Sequence, residues 1–449
     1  MSKAITIQIN YAFEWHDVAT IEFAEHLNSS FCRLDYETDH VFAHYNDFAE
    51  TAACVTLPND TMPYRNNKNW FRFLDDIIPA GSSRKYWLRT LRLLDEDKLT
   101  RNFILLSQGT IAPIGNIRVK ESVPATMANP IPVTFSVEDV CRLEVDFIEY
   151  AQTNGAAAGG ASGAGGAAPK LLLRCDPYDR VWIDTFQDNP SNLDTRYLVK
   201  FPRGSASIDH DILRAEFHFY HEIKALGFDT IPTDEMRLIE SERGPSLWLP
   251  RFDVATIGNK QQLLGMESVY SVLDIAPATM MEHGEVIRAL IEVFTLKSDN
   301  SETTTFLDAE NGIAAFVIEW VRRDLLNIAF GNSDNHGRNT SFIKQNNRVS
   351  LAPIYDFAPM KADPEVISRT FIWGGGLELG GQYDFVKIAN SLADLIEPKE
   401  LLDALAQTAI ELVELKQRLG NRGVPQSILS FPSMGYEHLE QKFKTWKLL

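Results

Sequence analysis

Cysteine is scarce in these 449 residues, and the little there is does not cluster. Cys32, Cys54, Cys141 and Cys175 lie far apart and form no C-x-x-C pair. That spacing argues against a structural zinc site and a disulfide framework, leaving buried, reduced thiols as the expectation. Long apolar runs are missing too. No stretch approaches the ~20 residues that span a bilayer, and the opening MSKAITIQINYAFEWHD has no continuous apolar segment of the signal-peptide kind. A cytoplasmic protein without membrane contact is expected. Positive charge is in deficit, with 43 Lys and Arg against 61 Asp and Glu and a formal net charge of −18. Phosphate backbones are gripped by clustered Lys and Arg, so direct nucleic-acid binding is not expected. There is no internal repeat, and the G-x-x-x-x-G-K-[ST] phosphate loop is absent.

What remains is ordinary globular composition, 45% hydrophobic and 23% charged, in a chain long enough for roughly two to three domains. Expected units are a β-rich N-terminal subdomain with a helical insert (1–150), a middle lobe (151–253) and a helical lobe (254–449). In the first unit, ITIQIN, NFILLSQG and IAPIGNIRV read as strands by β-branched content and alternation. Residues 69–93 read as two helices joined at Pro79-Ala80-Gly81, with their aromatic residues as core. Ser136 and Asp139 have capping-box spacing ahead of a helix.

The low-complexity run 155–168, GAAAGGASGAGGAA, ends at Pro169-Lys170 and leads into an apolar strand. By itself it is either a flexible linker or a loop whose glycines let backbone N–H groups approach phosphate oxygens. A second strand, RYLVKFP, sets Lys200 among apolar neighbours, where a lone ammonium is costly without a counter-charge or a phosphate. The helix candidate 209–226 follows and ends at Gly227; its Glu216 is placed to reach Lys200, with Glu222 as the competing partner. Two further strands run into Pro250-Arg251-Phe252-Asp253. That connector suits a hinge whose backbone meets an adenine edge, and equally a packing Phe252 flanked by a surface Arg251–Asp253 ion pair. Residues 260–273, 282–296, 306–330 and 395–419 read as helices from apolar residues three and four apart.

Polar chemistry is concentrated in NIAFGNSDNHGRNTSFIKQNNRVSLAPIYD, residues 327–356. Asp334 is followed five residues later by Asn339, and Asp356 lies beyond an extended segment. That order fits phosphoryl transfer: the first Asp deprotonates the attacking hydroxyl, and the Asn and second Asp hold Mg²⁺ against nucleotide phosphates. Asn332, Ser333 and Asn335 suit turn and capping roles instead.

With these residues in hand, the sequence resembles the HipA family of bacterial Ser/Thr kinases, the toxin component of HipBA-type toxin–antitoxin modules. The resemblance rests on FLDDIIPAG, IGNIRV, GGAAPK ending at Lys170, LVKFP, the AEF segment with Glu216, PRFD, GNSDNHGRNTS and LAPIYDF, in that order. It implies an α+β, two-lobed protein-kinase-like fold with an N-terminal β-rich subdomain and a mostly helical C-terminal lobe, using ATP and Mg²⁺. By motif position Asp334 is the base, Asn339 and Asp356 bind the metal, and Lys170, Lys200 and Glu216 serve the phosphates. Arg251, Phe252 and Asp253 hold the nucleoside, and His336 orients the loop or assists transfer. The family autophosphorylates a serine in the loop before the Pro-Lys; here that is Ser162, one residue further from Lys170 than the family pattern. Family precedent gives an aminoacyl-tRNA synthetase as substrate and a small DNA-binding HipB-like antitoxin as partner, although APMKADPE and RTFIWGGG look closer to a stand-alone branch. The competing readings are a small-molecule kinase of aminoglycoside or lipid type and a non-catalytic ATP-binding regulatory module.

Overall fold

The computed structural model describes residues 3–24, 31–67, 70–123, 133–143, 151, 170–186, 188–299 and 301–449. Alternating apolar residues in the first segment form β1 (Lys3–Tyr11) and β2 (Glu14–Phe23), joined at Ala12-Phe13 with both residues at positive φ. Adding β3 (Cys32–Tyr36), β4 (Tyr64–Asn66) and β5 (Ile117–Val119) gives a five-stranded sheet in the order β4-β3-β2-β1-β5. Ile5, Ile7, Ile9, Val18 and Ile21 point into a core closed by Trp70, Phe73 and Leu105.

Two helices close that core, α1 (Gly81–Thr90) and α2 (Lys98–Gly109). The stretch NFILLSQG, which reads as a strand, is the last eight of the twelve residues of α2. Asp97 starts this helix by accepting the N–H groups of Leu99 (2.9 Å) and Thr100 (3.1 Å), and buried Asn102, Leu105, Leu106 and Gly109 follow helical spacing. A start signal and a 3.6-residue period outweigh local β-branched content here. Of IAPIGNIRV only Ile117–Val119 is extended.

The second sheet has the order β10-β11-β9-β7-β8-β6. Its strands are β6 (Phe135–Ser136), β7 (Lys170–Cys175), β8 (Arg180–Ile183), β9 (Thr195–Lys200), β10 (Arg237–Ser241) and β11 (Gly244–Pro250). The expected capping box is present, with Ser136 and Asp139 bonded reciprocally ahead of a short helix, Val137–Cys141. The antiparallel register of β7 and β9 sets Lys170 opposite Lys200. Helix α3 (Ser207–Ala225) packs beside this sheet, burying Leu213, Glu216, Phe219 and Ile223.

The remaining chain is mostly helical, built on α4 (His283–Ser298), α5 (Gly312–Phe330) and α6 (Pro398–Leu412), with Pro398 in the first turn of α6. Residues 260–273, expected as a helix, instead form strand Lys260–Leu263, strand Gly265–Ser268 and one helical turn, Val269–Val272. The Gln261 and Gln262 side chains reach distant partners there, Asp194 O (2.9 Å) and Asn10 Oδ1 (2.7 Å), and an extended backbone lets them do so. Strand Gly265–Ser268 pairs with Ser341–Gln345, which returns through Arg348–Leu351 to Asp356. One apolar core joins α3 to this lobe and also takes in Phe48, Ala49 and Val55 from the N-terminal part. Among the described residues no helix is long and apolar enough to cross a membrane. All four cysteines are free and buried.

Candidate active site

Lys200, at the end of β9, is 4% exposed, so its ammonium needs partners of opposite charge. Its Nζ lies 2.5 Å from Glu216 Oε1 on α3 and 2.5 Å from Asp356 Oδ1. Lys170 reaches the same carboxylate, 3.2 Å from Asp356 Oδ2. Tyr220, one turn beyond Glu216, donates its hydroxyl to Glu216 Oε1 (2.9 Å) and accepts the Phe357 N–H (3.1 Å). One tyrosine thus ties α3 to the residue that follows Asp356. Glu222, the other candidate partner of Lys200, is taken up by Arg418 and Arg422 and anchors α3 to the C-terminal helices.

Charge follows this geometry. Burial alone would raise the Asp356 carboxyl, but Lys170 and Lys200 hold it well below the usual range. Burial opposes a charge on Lys200 as well, and Asp356 with Glu216 more than offsets it, so the ammonium is strongly retained. Lys170 has only the longer contact and the repulsion of Lys200 beside it, and burial leaves its amine below the ordinary value. Asp356 sits at φ +50°, a left-handed conformation in which Asp is among the more tolerated residues.

Helix α5 ends at Gly331, whose φ of +70° turns the chain into the polar loop. A Cβ there would meet Met434 Cε at 2.6 Å, the movable end of a flexible side chain, so it is the conformation rather than the packing that favours glycine. Beyond it the Asp334 peptide is held on both sides: Asn332 Oδ1 accepts its N–H (3.2 Å), and Asn339 Nδ2 donates to its carbonyl (2.6 Å). Burial, then the negative charge of Asp356, push the Asp334 carboxyl up to about 7, against the pull of Lys170 and Lys200. Asp334, Asp356 and the two lysines therefore form one electrostatic cluster. His336 Nδ1 accepts the Arg338 N–H (3.2 Å), which puts the ring proton on Nε2, 3.4 Å from Asp334 Oδ1. Burial lowers this imidazole to about 4, so it faces Asp334 as a neutral ring.

Two oxygens are suited to a divalent cation. Asn339 Oδ1 is buried without a hydrogen-bond partner while its Nδ2 is pinned to the loop. The Asp356 carboxylate keeps lone pairs beyond its lysine contacts. Among the described residues no cluster of three His, Cys, Asp or Glu side chains forms a metal site. One amide and one carboxylate are an incomplete shell for a hard cation, which phosphate and water oxygens would finish.

A narrow cleft opens from Lys170, Lys200 and Asp356 and is walled by Leu198, Ile231, Leu249, Phe252, Met266 and Tyr355. The Phe252 and Tyr355 rings lie 5.3 Å apart along it. Arg251 and Asp253 flank Phe252 as an ion pair, but a buried one rather than the surface pair the sequence allows. Arg251 Nη1 also reaches Asp184 Oδ2 (2.7 Å), Asp184 pairs with Arg174 (2.7 Å), and Asp253 Oδ2 accepts the Gly115 N–H (2.7 Å). Arg251 N–H goes to Arg196 O and Asp253 O accepts Leu264 N–H, both at 2.9 Å. The two larger cavities, about 830 and 880 Å³, open elsewhere, between the N-terminal sheet and the helical lobe.

Ser162 and the Gly/Ala run lie outside the described residues, which resume at Lys170. Sequence reasoning left several working residues unassigned. The Arg174–Asp184 pair joins β7 to the turn just after β8, and no local pattern reveals that register. Tyr220 was legible in principle, four residues from Glu216 on the same helix face. Arg338 leaves the loop altogether: its Nη2 donates to Asp75 O (2.6 Å) in the N-terminal part, and Asp76 accepts Ser268 N–H (2.9 Å) and Oγ–H (2.7 Å).

Over residues 162–415 the sequence matches the family model described as the HipA-like C-terminal domain. No curated protein matches it. Among solved structures, HipA of Shewanella oneidensis MR-1, determined with HipB and operator DNA, superposes with a TM-score of 0.63 at 15% identity. That match covers 99% of this chain and 97% of the other. The Helicobacter pylori proinflammatory kinase CtkA aligns over 64% of this chain and 92% of its own, with 14% identity and a TM-score of 0.38. The fold is α+β, two-lobed and protein-kinase-like, with the β-rich N-terminal part and the helical C-terminal lobe described above.

Proposed function

The chain belongs to the HipA-like family, and on that premise we propose that it is an ATP- and Mg²⁺-dependent serine/threonine protein kinase. The observation that carries the reading is Lys200 held between Glu216 and Asp356, with Asp334 kept near neutral titration in the same cluster. Lys170 and Lys200 are the cations for the nucleotide phosphates, and Glu216 aims Lys200 at them. Asn339 Oδ1 and Asp356 would hold the metal, which would supply positive charge against the phosphate oxygens. The nucleoside occupies the cleft beside Phe252, with the ion-paired Arg251 and Asp253 fixing the connector's course.

Asp334 then acts as the base. A substrate hydroxyl oxygen attacks the γ-phosphorus as the bond to the β,γ-bridging oxygen breaks, and the hydroxyl proton passes to the Asp334 carboxylate. The products are the phosphoester and ADP. A carboxyl that titrates at about 7 is matched to this task, since it is substantially ionised at working pH yet basic enough to take the proton. His336, neutral and 3.4 Å from Asp334 Oδ1 without a hydrogen bond to it, helps order the loop by accepting the Arg338 N–H.

By likeness to the Shewanella complex, a small HipB-like DNA-binding protein is the proposed partner; the family resemblance makes Ser162 the proposed autophosphorylation site. Incubation with ATP and Mg²⁺ followed by intact-mass measurement tests the reading. Phosphate addition to the chain or to a protein in lysate, absent in Asp334→Ala, is expected. Transfer only to an amino alcohol, antibiotic or lipid headgroup would replace it, as would ATP binding without any turnover.

A further inference from the structure

The peptide of Asp334 is held by the side chains of Asn332 and Asn339, both within the loop; the next residue, Asn335, is wired outside it. Asn335 is 6% exposed, and both ends of its amide are used. Its Oδ1 accepts the Thr370 N–H (3.0 Å), and its Nδ2 donates to the Phe371 carbonyl (2.9 Å). One side chain thereby holds two successive residues of the strip, one by its N–H and the next by its carbonyl.

The strip it grips is itself immobilised. Met281 N–H donates to Thr370 O (3.0 Å), and Met281–Glu282 pairs in parallel with Phe371–Ile372. Arg369 Nη2 lies 2.8 and 3.1 Å from the two oxygens of Asp324 on α5, and the Trp373 indole donates to the same carboxylate (2.9 Å). Phe371 is 2% exposed, packed near Tyr270, His283 and Trp320. Among the described residues the Asp334 carboxylate has no comparably short contact, and the neutral His336 ring lies with Nε2 3.4 Å away without a hydrogen bond. Its aim therefore comes from its backbone.

We propose that Asn335 is a positioning residue that transfers the fixed geometry of residues 369–373 to Asp334, and so sets where that carboxylate meets the substrate hydroxyl. The proposal rests on the kinase reading above. Only a carboxamide supplies one donor and one acceptor at this spacing: aspartate would repel the Phe371 carbonyl, and alanine would release both bonds.

The test compares Asn335→Ala and Asn335→Asp with the wild-type chain in three measurements. These are hydrogen–deuterium exchange over 330–340 and 366–375, ATP affinity, and kcat determined separately from the KM for ATP. Faster exchange in both segments, unchanged ATP affinity and KM, and a kcat loss of about 10- to 100-fold are expected. If the alanine variant does not fold, the aspartate variant, which keeps the Thr370 bond, carries the comparison. Faster exchange with kcat unchanged would overturn the proposal, leaving a structural role alone. Unchanged exchange would overturn it whatever the activity. A wild-type chain that transfers no phosphate would instead sink the kinase reading, and the exchange data would still report whether the clamp orders the loop.

Discussion

Replacing Asp334 by asparagine removes a proton acceptor and, with it, a charge the fold resists. The carboxyl, ordinarily near 3.8, is pushed to about 7 by burial and by Asp356. Between those values the folded chain holds a proton that the unfolded chain has released, so stability falls as pH rises across that window and levels off above it. The full difference corresponds to ~4 kcal/mol at pH 8 as an upper figure. The neutral carboxamide of the Asp334→Asn variant would recover part of this, about 1–4 kcal/mol, because the side chain is only 20% exposed and little screened by solvent. Asp334→Asn should therefore melt close to wild type at pH 4 and clearly above it at pH 8, while phosphate transfer falls by about 10²–10⁴-fold. Thermal unfolding followed across pH 4–8, alongside transfer from γ-labelled ATP, reads both effects. A variant no more stable than wild type at pH 8 would refute the electrostatic account, and one with wild-type transfer would refute the assignment of the base.

Wild-type kcat should rise through about pH 7 as Asp334 ionises, and a flat profile from pH 5 to 8 would show that another group takes the proton. Lys200→Met strands Glu216 in the interior and leaves Asp356 with Lys170 alone; a loss of about 3–5 kcal/mol in stability together with weakened ATP binding is expected, measured by denaturant titration and calorimetry. Asp356→Asn keeps a residue type that tolerates positive φ, so the chain should stay folded by circular dichroism while Mg²⁺-dependent transfer disappears. Asp184→Ala leaves Arg174, Arg196 and Arg251 without their shared carboxylate, and unfolding should move to markedly lower denaturant.

Much of the site can be read along the chain because its parts carry local signatures. A lysine inside an apolar strand, an acid on the following helix and a polar burst after a long apolar helix are unusual wherever they occur, and Lys200, Glu216 and residues 331–339 stand out for that reason. The elements misread were those where tertiary partners decide. NFILLSQG has β-branched content, but Asp97 and the period of Leu105, Leu106 and Gly109 make it helical. Residues 260–273 have apolar residues at helical spacing, but Gln261 and Gln262 are spoken for by Asp194 and Asn10. Nothing near Asn335 in sequence indicates Thr370 and Phe371 as its partners, because that pairing exists only once α4 and α5 have packed. The buried character of the Arg251–Asp253 pair was hidden likewise, since Gly115 and Asp184 arrive from opposite directions.

The Arg338 contact bears on how the gene can be dissected. Its guanidinium ends on the Asp75 carbonyl, and Asp76 secures Ser268, so the short helix Leu74–Ile77 of the N-terminal part buttresses the polar loop. A truncation that begins after residue 123 would keep every side chain proposed for phosphate transfer yet remove the surface on which the loop leans.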